Sequence, residues 1–381
     1  MIAARLSPLL LLIFAGPMRV VPASPLAAPP LWAGLEPGPH AVGFGVALER
    51  DAARPLKAAP RPVQVGCWYP TRGASGTALT YGDYFVLSAN ELDGHALSDD
   101  DRRKAIVGYK NQLLKSGVRG DIVDRWFASP MLARRDAPVI GGALPLALVA
   151  QGNFHSLHHQ AILAEYLASH GYVVCSTPSQ TRISGPLESE DAVAPSALEQ
   201  AGDLEVARRH AVQKFTIDAA RLGLAGHSFG ARSALIVAAR ANAGALVSLD
   251  GGIGARQAKQ WVTKVPEIDP ARIGTPILHL YEDGETFSTP DFELIERMAA
   301  ARRMLVKIDG VRHVDFTSIG FAGAAVPGLG TNPTSDYATR VTIIAVFTRR
   351  FLDATLKNDA AAERLLERKL GERWLHARRL R

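Results

Sequence analysis

The sequence predicts an α/β fold with a mostly parallel central sheet and helices on both of its faces. Three observations predict it. From Leu144 onward, short apolar runs alternate with segments of helical periodicity, the order that a parallel sheet with crossover helices requires. One of those runs leads without a spacer into Gly226-His227-Ser228-Phe229-Gly230 and then into a helix. Of the 381 residues 47% are apolar, with 34 Gly and 24 Pro, which suits a sizeable core and many tight turns, and no repeat or composition break divides the chain.

Taken in order, the chain begins with Arg5, the apolar run from Leu6 to Ala15, and the small residues of Val21-Pro22-Ala23. These are the three parts of a secretory signal peptide over residues 1–23, which implies a secreted or periplasmic protein. A helix of that apolar run would be about 15 Å long, too short for a hydrocarbon core of about 30 Å. Residues 24–37 read as a Pro-rich linker, and 38–357 as one domain. Its first two strands alternate at Phe44, Val46 and Leu48 and at Val63, Val65, Cys67 and Tyr69. The polar, Pro-containing stretch between them reads as a long hairpin connection. Residues 71–143, with one helix over Asp99 to Lys115, read as an insertion packed on the core before the third strand.

That third strand is Leu144 to Ala150, apolar throughout as a strand covered on both faces should be. Ile162, Leu163, Tyr166 and Leu167 mark a helix ended by Gly171, and Tyr172 to Cys175 is the next strand. A helix from near Asp203 leads to the strand Arg221 to Ala225, and Phe229 to about Ala241 is again helical. Ala245 to Leu249, Pro276 to Tyr281 and Met304 to Ile308 are the remaining strands, and a helix over Tyr337 to Leu352 follows. Residues 358–381 read as a basic C-terminal helix, with Leu365, Leu366, Leu370 and Trp374 at helical spacing among clustered arginines and lysine. Such a helix either docks with a solvated basic face or makes peripheral contact with an anionic membrane. The formal charge of +6 is otherwise scattered, which argues against nucleic-acid binding. Two cysteines, Cys67 and Cys175, are too few for a disulfide framework and can pair only if their strands are neighbours.

The residues around Ser228 carry the chemistry. A turn directly from strand into helix is strained and needs small neighbours, which Gly226, Gly230 and Ala231 supply. It lifts a serine hydroxyl to the sheet edge and aims the next backbone N–H, that of Phe229, outward. A serine nucleophile needs a general base. His313 follows the last of these strands, whereas His155, His158 and His159 lie after the third strand, His210 in a helix, His279 inside a strand and His376 in the tail. Two carboxylates could orient the imidazole. Asp250 ends a strand before Gly251 and Gly252, and Asp283 lies in the acidic run Glu282-Asp283-Gly284-Glu285. A second oxyanion donor is expected from the loop Gln151-Gly152-Asn153-Phe154, at the Asn153 N–H. His155, His158 and His159 lack a Cys or carboxylate at metal-ligand spacing, so neither a metal nor an organic cofactor is expected.

With these residues in place, the chain resembles the platelet-activating-factor acetylhydrolase and dienelactone hydrolase group of α/β-hydrolases. The resemblance runs from about Gly38 to Leu356. It rests on Gly38-Pro39-His40-Ala41-Val42-Gly43-Phe44, Val65-Gly66-Cys67-Trp68-Tyr69-Pro70, Leu167 to Val174, the Gly-His-Ser-Phe-Gly turn and His313-Val314-Asp315-Phe316. It implies a Ser228–His313 pair with the acid after the strand that follows the nucleophile helix, which is the place of Asp250. It also implies an esterase acting on a small-molecule or lipid ester through an acyl-enzyme. The chain departs from dienelactone hydrolases in having Ser where they have Cys, and from the group in having Gln151 where His usually precedes the Gly. The rival expectations are a serine peptidase or amidase on the same fold, and a non-catalytic binding protein on this scaffold.

Overall fold

The computed structural model describes residues 26–73, 75–256, 258–286, 289–330, 336–367 and 372–380. The signal-peptide expectation for residues 1–23 lies outside them. In chain order the strands are β1 (Ala41–Leu56), β2 (Ala59–Thr71), β3 (Thr77–Thr80), β4 (Pro130–Arg135), β5 (Leu144–Ala150) and β6 (Val173–Thr177). They continue with β7 (Ile217–His227), β8 (Ala245–Leu249), β9 (Ile277–Tyr281), β10 (Arg303–Ile308) and β11 (Leu375–Leu380). All belong to one sheet, ordered β11-β10-β9-β8-β7-β5-β6-β2-β1-β4-β3.

The centre of the sheet, from β6 through β5, β7, β8 and β9 to β10, is parallel. Helices cover both of its faces, which is why Leu146, Leu148 and Val149 are buried whichever way they point. Ile162, Leu167, Ile344 and Phe351 pack on one face, and Leu204, Ala207, Leu235 and Val237 on the other. β6 lies on one side of β5 and β7 on the other. Connections that leave neighbouring strands in opposite directions open a crevice beyond their carboxyl ends, and that crevice positions the site.

Several sequence expectations are corrected. The stretch between the first two strands is no long loop: β1 and β2 run on, past an irregularity between Asp51 and Pro55, to a tight turn at Lys57-Ala58. Both turn residues have positive φ, 48° and 66°, as the twist of a two-residue hairpin turn demands. The segment 71–143 forms its expected helix, capped by Ser98 and Asp101, but also contributes β3 and β4, with β4 parallel to β1. Residues 26–37 do not behave as a linker, because Leu31 and Trp32 are fully buried and Trp32 packs edge-on against Tyr166. The helix expected from Asp203 begins ten residues earlier and spans Val193–Lys214. The single basic C-terminal helix is not formed: Ala360–Glu367 is helical, whereas Leu375–Leu380 pairs antiparallel with β10 as β11. Trp374 is buried where the chain enters that strand, and the backbone pairing overrides the helical spacing of the apolar residues.

Cys67 and Cys175 stand directly opposite each other on the antiparallel strands β2 and β6 and form a disulfide, with Cα atoms 4.2 Å apart. Among the described residues, no helix is long and apolar enough to cross a membrane.

Candidate active site

The site is assembled at the carboxyl ends of β5, β7 and β8 and in the segment after β10. β7 ends at His227 and a helix begins at Gly230, so Ser228 is held in the left-handed region at φ 54°. A side chain there is strained, and the turn persists because its surroundings fix it. The Ser228 N–H donates to Leu249 O, and its carbonyl accepts from Ala231 N and Gly252 N at 3.2 and 2.9 Å. The flanking glycines are required by close approach: a Cβ on Gly226 would lie 2.6 Å from Ala231 Cα, and one on Gly230 would overlap the Ala150 carbonyl.

Asp250 ends β8, also with positive φ, and is 6% exposed. Its Oδ2 lies 2.5 Å from His313 Nδ1, and its Oδ1 accepts from the Glu282 N–H. Burial pushes the Asp250 carboxyl up, and the adjacent His313 opposes that shift. A carboxylate on Nδ1 favours the tautomer with the proton on that nitrogen and the lone pair on Nε2. Asp283, the other candidate, is half exposed and accepts from Lys307 Nζ at 3.0 Å, away from the imidazole.

His313 is fixed through its backbone as well as its ring. Its N–H donates to Glu285 Oε2 at 2.6 Å, and its carbonyl accepts from His227 Nε2 at 3.0 Å. Ser228, Asp250 and His313 line one cleft of ≈ 150 Å³, small beside the ~300–1,000 Å³ of most ligand pockets.

The β5 loop lies directly against the serine, since a Cβ on Gly152 would be 3.2 Å from Ser228 Cβ. In this loop the Phe154 N–H donates to Thr181 Oγ1 and the His155 N–H to Gly152 O. The Asn153 N–H has no protein acceptor among the described residues, and neither does that of Phe229, which precedes the first helical turn. Two unclaimed donors beside a strained serine are what a developing oxyanion would need.

Sequence reasoning placed His155, His158 and His159 after the third strand but did not show their packing with His227 and His313. His155, His159, His158 and His227 join His313 in a run of packed rings, with centroid spacings of 3.9 Å for His155–His159 and 4.6 Å for His227–His313. Burial holds the first four well below the ordinary imidazole range. The rings pack rather than converge, and no group of three or more metal-ligating side chains occurs among the described residues. His279, read as a core residue, is buried with Nδ1 2.9 Å from Ser248 Oγ, and it also lines the cleft. Arg232 lines the cleft too; one turn into a helix, an arginine reads as a solvated side chain, and nothing in the sequence marks it out.

No family model matches the chain, and no curated protein matches it by sequence. A solved structure described as a ferulic acid esterase from Streptomyces cinnamoneus superposes with a TM-score of 0.61 at 19% sequence identity, covering 88% of this chain and 96% of that one. A likeness at that identity speaks to architecture, and with the sheet order and its helix cover it shows that the chain has the α/β-hydrolase fold.

Proposed function

We propose that the chain is an exported serine hydrolase that cleaves carboxylic esters through an acyl-enzyme, in the manner of the acetylhydrolases. The observation that carries this reading is the meeting of strand ends: Ser228 on a strained turn shares a cleft with His313, whose Nδ1 binds the buried Asp250 at 2.5 Å. The likeness to a ferulic acid esterase favours ester over amide cleavage. The Cys67–Cys175 disulfide supports export, because such bonds persist in oxidising compartments.

In this mechanism Ser228 Oγ bonds to the ester carbonyl carbon as its proton passes to His313 Nε2. The carbonyl electron pair moves to oxygen, and the resulting anion accepts from the Phe229 and Asn153 N–H groups. Collapse reforms the carbonyl and breaks the bond to the alcohol, which leaves with the proton from Nε2. A water molecule then attacks the acyl-enzyme with His313 again as base, releasing the acid and restoring the serine. Every proton is moved by a side chain of the protein, so the chemistry calls for neither a metal nor an organic cofactor.

The test is hydrolysis of p-nitrophenyl esters from acetate to long chains by the mature protein and by Ser228→Ala. Loss of about 10⁶-fold in turnover is expected for the variant. The small cleft predicts a profile that peaks at short acyl groups. Equal turnover by the variant, or no ester turned over at all, would overturn the reading.

A further inference from the structure

Arg232 is a cation in a place that stability alone would not choose. It stands in the first turn of the Gly230–Ala241 helix, where the helix dipole disfavours positive charge. Its guanidinium is wedged between the Phe229 ring, 5.5 Å away, and Gly252, where a Cβ would lie 2.7 Å from one of its terminal nitrogens. Its Nε is buried and has no hydrogen-bond partner. Among the described residues no carboxylate lies within ion-pair distance of it, and Glu190 acts on it only at longer range. The arginines that are buried in the core are all partnered: Arg61 and Arg349 hold the carboxylates of Asp203 and Asp353, and Arg303 donates to the carbonyls of Ala301 and Glu296.

The rest of the cleft leaves this charge unanswered. Asp250 is its only lining carboxylate among the described residues, and that group is engaged by His313. Burial depresses His279 to about 3, so it is neutral at physiological pH, while Arg232, lowered only to about 10, stays charged. A guanidinium that lies over a ring, against a glycine and on the wall of the cleft brings to it the forked donors that pair with a planar carboxylate.

We propose that Arg232 forms an anion subsite beside Ser228, and that the favoured substrates are small esters carrying a free carboxylate within a few bonds of the scissile carbonyl. The inference rests on the reading of Ser228 as the nucleophile. It places the protein among enzymes that take half-esters of dicarboxylic acids or esters of hydroxy acids, rather than neutral lipids.

The experiment compares matched esters that differ only in charge. On the alcohol side these are 4-acetoxybenzoate and its methyl ester; on the acyl side, monomethyl and dimethyl glutarate. The ratio of kcat/KM, charged over neutral, is measured for the wild type, Arg232→Gln and Arg232→Lys. At least one pair is expected to favour the charged ester, with the ratio falling about tenfold to a hundredfold in Arg232→Gln and partly retained in Arg232→Lys. A merely structural arginine would lower both rates and leave the ratio alone, so an unchanged ratio, or no preference in either pair, overturns the subsite. Calorimetric binding of 4-hydroxybenzoate to Ser228→Ala, with and without Arg232→Gln, reads the subsite without turnover. Binding weakened tenfold or more by Arg232→Gln supports it, and equal or absent binding overturns it. Failure of the esterase reading shows separately, as turnover that survives Ser228→Ala.

Discussion

The two aspartates that compete in the sequence part company over what each carboxylate touches. Asp250 is buried against His313, and Asp283 is spent on Lys307 at the surface. Asp250→Asn keeps the shape but favours the wrong imidazole tautomer, and turnover of p-nitrophenyl acetate is expected to fall about 10⁴-fold. Asp283→Asn is expected to stay within a few-fold of wild type, as an exposed pair contributes at most about 1 kcal/mol. Reversed effects would move the acid to Asp283. The positions of Ser228 and Asp250 at strand ends, and of His313 in the segment after one, are readable from sequence because each follows an apolar run that can hardly be anything but a strand. Arg232 and His227 are not readable, because their placement depends on contacts with Gly252 and with the His313 carbonyl, one made close by the turn and the other 86 residues away.

Legibility at the scale of elements follows the same division. Central strands carry their own signal, since burial on both faces demands an unbroken apolar run. Strands at or beside the edges do not: β11 reads Leu-His-Ala-Arg-Arg-Leu, β3 is only Thr-Ala-Leu-Thr and β4 ends in Ala-Arg-Arg, so pairing with a neighbour, rather than composition, makes them strands. The hairpin turn at Lys57-Ala58 is likewise hidden, because neither residue is one that favours positive φ. The disulfide depends on a strand order that the sequence does not state. It joins β2, in the antiparallel flank, to β6, at the border of the parallel centre, across a separation of 108 residues. Closing a loop of that size stabilises by about 4–5 kcal/mol in the chain-entropy account. Replacing both cysteines by alanine is therefore expected to lower the urea midpoint clearly and the melting temperature by roughly 5–10 °C. An unchanged midpoint would mean that β2 and β6 are held fully by their packing and backbone bonds.

At the scale of the whole molecule, buried titrating groups set how stability varies with pH. Burial depresses seven imidazoles, those of His155, His158, His159, His227 and His279 and, in partly exposed positions, His40 and His170. A histidine whose folded pKa lies below its unfolded value contributes stability above pH 6.5, and loses it as the pH falls and the unfolded chain takes up the proton. Between pH 7 and 5 that loss is about 2 kcal/mol for each imidazole that stays neutral when folded. Buried carboxyls act in the opposite sense. Glu165, raised by burial to about 7, accepts from Tyr84 Oη and from the Leu132 and Ala133 N–H groups, and protonates over the same range. It offsets about one histidine. Glu91, Asp250 and Asp315 are also raised by burial, but Arg182, His313 and Arg312 respectively oppose the shift. The imidazoles outnumber these groups, and no carboxylate raises those of His155, His158, His159, His227 or His279 back toward their ordinary value, so acidification wins. The urea midpoint is expected to drop steeply between pH 7.5 and 5.5. His279→Asn, which can keep a hydrogen bond to Ser248 Oγ, should flatten that limb by one histidine's share. A midpoint that held or rose toward pH 5.5 would mean that protons reach these rings in the folded protein, and that the packed histidines beside Ser228 are not held neutral by their burial.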